Sequence, residues 1–207
     1  MIAMDEYFKL NNIQLDALRE VGNIGAGNAA TALSKMLRSR VEMSVPDIKI
    51  LPFSQVASMA GGAEAFVASI CFQIRGKAPG TILFMIPGTD AEQIVGTLLK
   101  KGNVQFFNDE MACSALTELG NILAGSFLNA LGLFTTIHFI PTVPALCIDM
   151  VGAILGSVLF NSGMTSDQVL FIKTDFRYQD KYSLGYLYFL PELEALQVIL
   201  SALGVSG

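Results

Sequence analysis

The sequence predicts an α+β fold, a three-layer α/β/α sandwich built from two pseudo-symmetric repeats around a mainly antiparallel central sheet. Three observations lead there. A block recurs: Ala17-Leu18-Arg19-Glu20-Val21-Gly22-Asn23-Ile24-Gly25-Ala26-Gly27 returns ninety-eight positions later as Ala115-Leu116-Thr117-Glu118-Leu119-Gly120-Asn121-Ile122-Leu123-Ala124-Gly125. Each block is followed by the same order of patterns: strand, short helix, two strands around a turn, then a helix. The 207 residues are 52% apolar and only 15% charged, which excludes a disordered chain and suits a sheet covered on both faces.

Residues 1–10 read as a loosely held leader. Asn11 or Asn12 caps a helix whose apolar positions Ile13, Leu15, Leu18, Val21 and Ile24 recur at helical spacing and carry it to about Leu37. Gly22, Gly25 and Gly27 lie inside it, and each costs about 1 kcal/mol relative to Ala. Close approach of a neighbouring element or of a partner's backbone is the expected reason. Val41 to Leu51 reads as a strand in which Pro46 favours an edge or a bulge. Ser54 to Ala60 reads as a short helix ended by Gly61-Gly62. Ala65 to Ile74 and Thr81 to Ile86 are strands around a hairpin loop at Arg75 to Gly80. Asp90 to Lys101 is an amphipathic helix with its cations at the C-terminal end.

The second half follows suit. Asn108 or Asp109 opens a helix to about Leu131, and Thr135 to Ile148 is strand-like with Pro141 and Pro144. Asp149 to Phe160 is a helix with Asp149 at its cap. Gln168 to Tyr178 and Ser183 to Leu190 form a second hairpin, and Glu192 to Leu203 closes the chain. Val45-Pro46 recurs as Val143-Pro144 at the same shift of ninety-eight, and Phe84 to Pro87 matches Tyr188 to Pro191 at a slightly larger one. The expectation is one domain, 1–207, made of two internal repeats at about 11–104 and 108–207.

A net charge of −5 without a Lys/Arg cluster argues against nucleic acid as a partner. Cys71, Cys113 and Cys147 are isolated and odd in number, which fits reduced, core-type cysteines in a cytoplasmic protein. Asp5, Glu6 and Lys9 interrupt the start before any secretion signal develops. Between Leu119 and Ser166 only Asp149 is formally charged, but asparagines, prolines and glycines break the stretch, so a buried core is expected and membrane insertion is not.

The run Gly25 to Ala30 fits the dinucleotide pattern G-x-G-x-x-A, yet that pattern needs a strand before it, and Gln14 to Glu20 are helical in character. Carboxylate metal sites on helices want Glu-x-x-His pairs, and the single histidine, His138, lies in a strand-like stretch far in sequence from any acid; it reads as a satisfied, half-buried side chain. Glu20-x-x-Asn23 and Glu118-x-x-Asn121 place an acid and an amide side by side on a helix face. A neutral amide can approach a phosphoryl group without repulsion and hold a water in line for attack, while a carboxylate one turn away seeks a cation. Chemistry alone does not select this over two solvated helix faces. Asp149, alone in its uncharged region, is a helix cap, a contact for a partner, or both.

The spacing Asp16-x3-Glu20-x2-Asn23-x22-Pro46 recurs as Ser114-x3-Glu118-x2-Asn121-x22-Pro144, and Asn23 to Ala32 reads Asn-Ile-Gly-Ala-Gly-Asn-Ala-Ala-Thr-Ala. In these features the chain resembles the CheC/CheX/FliY group of chemotaxis phosphatases, and CheC members in particular. The resemblance covers nearly the whole chain. It implies hydrolysis of the aspartyl phosphate on the response regulator CheY, with Asn23 and Asn121 orienting the water and Glu20 and Glu118 pairing with a regulator lysine. It implies no cofactor on this chain, the Mg2+ being supplied by the regulator. It also implies docking of the receptor deamidase CheD at a segment resembling Ile148-Asp149-Met150 and the helix after it. Two pairs in one chain, where CheX-like members have one and dimerise, lead to the expectation of a monomer. The chain is also expected to lack the extra regulator-binding peptide and rotor domain of FliY-like members. The second copy departs at Leu123 and Ser126, where Gly25 and Asn28 stand. The rival expectation is a non-catalytic adaptor, like FliM, that binds phosphorylated CheY or CheD without turnover.

Overall fold

The computed structural model describes residues 10–102, 104, 109–162, 168–178, 181–192 and 194–205. The expected leader, apart from Leu10, and Gln179-Asp180 of the second hairpin turn lie outside them.

Two helices of 26 residues frame the molecule, α1 (Asn12–Leu37) and, later in the chain, α4 (Glu110–Thr135). Their ends obey the shift of ninety-eight as their middles do. Asn11 caps α1 in a reciprocal box: its Oδ1 accepts from the Gln14 N–H, and Gln14 Oε1 accepts from the Asn11 N–H, both at 2.9 Å. At the matching place Asp109 accepts from the N–H groups of Met111 and Ala112. Arg38 and Thr136, again matched, end the two helices in the left-handed region at φ 51° and 56°.

Between these helices the chain runs β1 (Val41–Pro52), α2 (Phe53–Met59), β2 (Phe66–Gly76), β3 (Gly80–Pro87) and α3 (Gly88–Leu99). After α4 come β4 (Phe139–Pro141), β5 (Ala145–Met150), α5 (Val151–Ser162), β6 (Gln168–Tyr178), β7 (Lys181–Pro191) and α6 (Ala195–Ala202). The strands form one seven-stranded sheet in the order β1-β6-β7-β3-β2-β4, with β5 also on β2, and every pairing is antiparallel. The halves are laced together: β1 pairs with the hairpin of the second half, while β4 and β5 pair with that of the first. At the centre Leu83 faces Tyr188 and Phe84 faces Leu187, two pairs that exchange under the repeat and so mark the pseudo-two-fold axis.

Side-chain alternation assigns the layers. Ile70, Ile82, Phe84, Ile172 and Leu187 point into one core with α1, α3, α4 and α6. Val67, Leu83, Met85, Phe171 and Tyr188 point into a second core under α2 and α5. Both faces are covered, so the strands read as near-continuous apolar runs. Among the described residues α4 is the one helix long and apolar enough to cross a membrane. Its buried side, with Leu116, Leu123, Phe127 and Leu131, belongs to the first core.

Four expectations are corrected. The strand foreseen over Thr135 to Ile148 begins only at Phe139 and is split into β4 and β5, because α4 continues to Thr135 and Pro141 and Pro144 interrupt the ladder. Asp149 is not the cap of α5. It is a β5 residue opposite Val67, and its carboxylate accepts from the Met150 N–H at 2.7 Å. The first amides of α5 are satisfied elsewhere, Val151 N–H by the Ala65 carbonyl and Gly152 N–H by that of Ala63. Cys147 is not a core residue: Cys71 and Cys113 are half-buried, whereas Cys147 is exposed on β5, which among the described residues pairs with β2 alone. His138 is exposed in the approach to β4 rather than half-buried.

Candidate active site

Glu20 and Asn23 lie on the exposed face of α1, and Glu118 and Asn121 on the exposed face of α4. The opposite faces explain why. Leu18, Val21, Ala29 and Leu33 of α1, and Leu116, Leu119, Ala124 and Leu131 of α4, are buried, and the helical period then turns residues 20 and 23, or 118 and 121, outward. Close packing seats the helices. A side-chain carbon on Gly22 would stand 3.4 Å from Val45 in β1, and one on Gly25 would stand 3.1 Å from the Phe127 backbone of α4. Two of the three glycines inside α1 therefore mark contacts, one with the sheet and one with the partner helix. The run Gly25 to Ala30 lies mid-helix, so it forms no strand-to-helix phosphate turn.

The amide of Asn23 is held. Its Oδ1 accepts a hydrogen bond from the Val45 N–H at 3.1 Å, which leaves both Nδ2 hydrogens and the second Oδ1 lone pair for a ligand. That N–H is available because β1 slips register by one residue between Ser44 and Asp47, opposite β6, so Val45 and Pro46 bulge out of the ladder. Pro46 has no N–H of its own to leave unpaired there. The bulge expected at Pro46 is thus present, and it has an effect the sequence did not disclose: it frees the Val45 amide to hold Asn23. The recurring Val-Pro dipeptide was the available signal.

The second copy shares the slip without the clamp. Pairing of β4 and β5 with β2 also shifts by one residue across Thr142 to Pro144, where Thr142 still bonds Gln73 of β2 and Val143 is 89% exposed. Among the described residues the Asn121 side chain makes no hydrogen bond, and neither glutamate forms an ion pair. Asp16 is engaged with Arg19 on the surface of α1. Glu20 and Glu118 are therefore carboxylates open to an incoming cation. No three His, Cys, Asp or Glu side chains among the described residues group as a metal site.

Asp149 is exposed on β5. Beside it the Cys147 thiol is pushed above its ordinary value by partial burial and, second, by the Asp149 charge, so the thiol form is favoured. Met150, Leu159 and Phe160 are exposed at the end of β5 and along α5.

A family model described as CheC-like matches residues 13–50 and 111–148, each long helix together with the strand region after it. The chain is 37% identical over 201 residues to the CheY-P phosphatase CheC of Bacillus subtilis, a match covering 93% of this chain and 95% of that protein. Among solved structures, FliY of Thermotoga maritima superposes with a TM-score of 0.79 at 16% identity, covering 97% of this chain and 100% of that one. The FliM middle domain from H. pylori gives 0.70 at 13% identity, covering 93% and 99%. At such identities these structures establish the fold alone. The sequence match along nearly the full length of a curated relative, with both acid–amide helices inside the family's matched segments, establishes that the chain belongs to the CheC-like family.

Proposed function

We propose that this chain is a phosphatase that removes the aspartyl phosphate of the response regulator CheY. Water attacks phosphorus, the bond to the aspartyl oxygen breaks, and the products are the regulator's carboxylate and inorganic phosphate. Asn23 and Asn121 position that water. Glu20 and Glu118 form a charge-assisted contact with a lysine of the regulator. The Mg2+ beside the phosphate belongs to the regulator, and this chain contributes no cofactor. Because phosphoryl transfer is mainly positioning and electrostatics, a neutral amide delivered in line is a sufficient contribution. The chain acts in the cytoplasm as a monomer, and CheD docks around Asp149.

The observation that carries this reading is that both acid–amide pairs stand exposed on rigid, well-packed helices, one of them with its amide already oriented by Val45. The likeness to a FliM middle domain keeps the adaptor in view as the second reading. Phosphate release from phosphorylated CheY at sub-stoichiometric protein separates the two. A phosphatase clears many equivalents, and Asn23→Ala with Asn121→Ala abolishes clearance while the circular dichroism spectrum stays the same. An adaptor binds the phosphorylated regulator and releases none. Turnover at the parent rate in the double variant would refute the site assignment.

A further inference from the structure

Among the described residues most helical glycines have a neighbour that explains them, and three do not. Gly22, Gly25, Gly88, Gly96, Gly120, Gly132 and Gly152 each have an atom within 4 Å of where a side-chain carbon would stand. Gly27, Gly125 and Gly156 have none. A glycine in a helix without a packing reason lowers stability by about 1 kcal/mol relative to Ala. Gly27 and Gly125 occupy the same place in the two repeats, four residues beyond Asn23 and Asn121 and on the same helix face. Acid, amide and bare backbone thus form one row at i, i+3 and i+7, about 10 Å long. The row is uncrowded at its bare end: Gly27 is exposed, and its carbonyl is satisfied within the helix by the Thr31 hydroxyl at 3.0 Å. The third open glycine, Gly156, lies on α5, the helix next to Asp149.

We propose that Gly27 and Gly125 are positioning residues for the phosphatase reaction: each leaves the helix backbone bare so that the phosphorylated receiver domain can press against it. This rests on the phosphatase reading. A surface that must carry a planar amide into a recessed phosphoaspartate is limited by whatever stands tallest beside that amide. At residue 27 or 125 a methyl group stands one turn from the Asn, where it holds the two proteins apart. Misplacement of a positioned group by an ångström is enough to cost large factors in rate. In the free chain the same methyl meets no atom of the described residues within 4 Å, so its effect there is on helix stability.

The test is the double variant Gly27→Ala, Gly125→Ala, compared with the parent in thermal melting and in phosphate release from phosphorylated regulator. The expected result is a higher Tm together with kcat/KM lowered about tenfold or more, with kcat itself reduced as well as KM raised. A merely structural glycine would not separate the two readouts in this way. Unchanged kinetics in a stabilised double variant overturns the proposal. A lowered Tm overturns it too, because the methyl would then have met a neighbour in the free chain. A parent that releases no phosphate removes the phosphatase reading instead, so the two failures are distinguishable.

Discussion

Gly22 and Gly120 are equivalent under the repeat, each directly before its asparagine, and the same substitution at the two places has different consequences. A side-chain carbon on Gly22 would stand 3.4 Å from Val45 Cγ2, an ordinary contact. On Gly120 it would stand 2.7 Å from Ile70 Cγ2 and 2.9 Å from Ile70 Cβ and Cγ1. Ile70 has little room to yield. It is fully buried in β2, with Phe84 opposite it on β3 and Leu146 on β5. Ala gains about 1 kcal/mol over Gly in a helix, while overpacking a core costs about 1–3 kcal/mol. Gly22→Ala therefore stabilises the protein by up to about 1 kcal/mol. Gly120→Ala leaves it unchanged or destabilised by up to about 2 kcal/mol, the clash less the helix gain. Urea unfolding followed by circular dichroism reads both as midpoint shifts at constant slope. For a chain of this size, 1 kcal/mol also moves Tm by about 2–4 °C. An Ile70→Ala background removes the two Cγ atoms, so adding Gly120→Ala there costs less than in the parent. Equal midpoint shifts for Gly22→Ala and Gly120→Ala would refute the reasoning, because the clash with Ile70 is the only term that separates them.

Two further outcomes are expected. Tyr188 is fully buried, and its hydroxyl has no partner among the described residues. Burial holds this phenol above its ordinary value of 10, with the nearby Tyr186 adding to the effect. The fold keeps a proton that the unfolded chain releases, so this stability is complete below about pH 10 and falls as pH rises further. Tyr188→Phe raises stability at neutral pH by about 1 kcal/mol, by removing an unsatisfied donor, and flattens the alkaline decline without abolishing it, since Tyr182 is also pushed up to about 12 by its hydrogen bond to Asp175. A destabilised Tyr188→Phe would show that the hydroxyl has a partner. Asp149→Lys reverses an exposed charge on β5. It weakens CheD binding while basal phosphate release persists, and equal CheD affinity in a titration would remove Asp149 from the docking surface.

The features legible in the sequence are those set by local periodicity and by the repeat. The limits of α1 follow from the apolar spacing that includes Leu18 and Val21 and from a cap at Asn11, whereas α4, expected to end near Leu131, runs on to Thr135. The outward stance of Glu20, Asn23, Glu118 and Asn121 was readable for the same reason. What the sequence concealed depends on contacts between distant segments. Asp149 looks like a helix cap until Ala63 and Ala65 are seen supplying the carbonyls that the start of α5 needs. Cys147 looks like a core residue until β5 is found, among the described residues, to pair with β2 alone. The hold of Val45 on Asn23 was equally hidden, because it exists only where a bulge turns one backbone amide out of its ladder.

The lacing of the sheet has a consequence for synthesis. Val41–Pro52 leaves the ribosome long before Gln168–Tyr178, the strand that completes its hydrogen bonding, has been made. The nascent first half therefore carries an unsatisfied edge and a half-covered apolar surface until almost the last hairpin emerges. That interval, rather than the finished molecule, is when exposed apolar surface and an unpaired strand edge open the chain to aggregation.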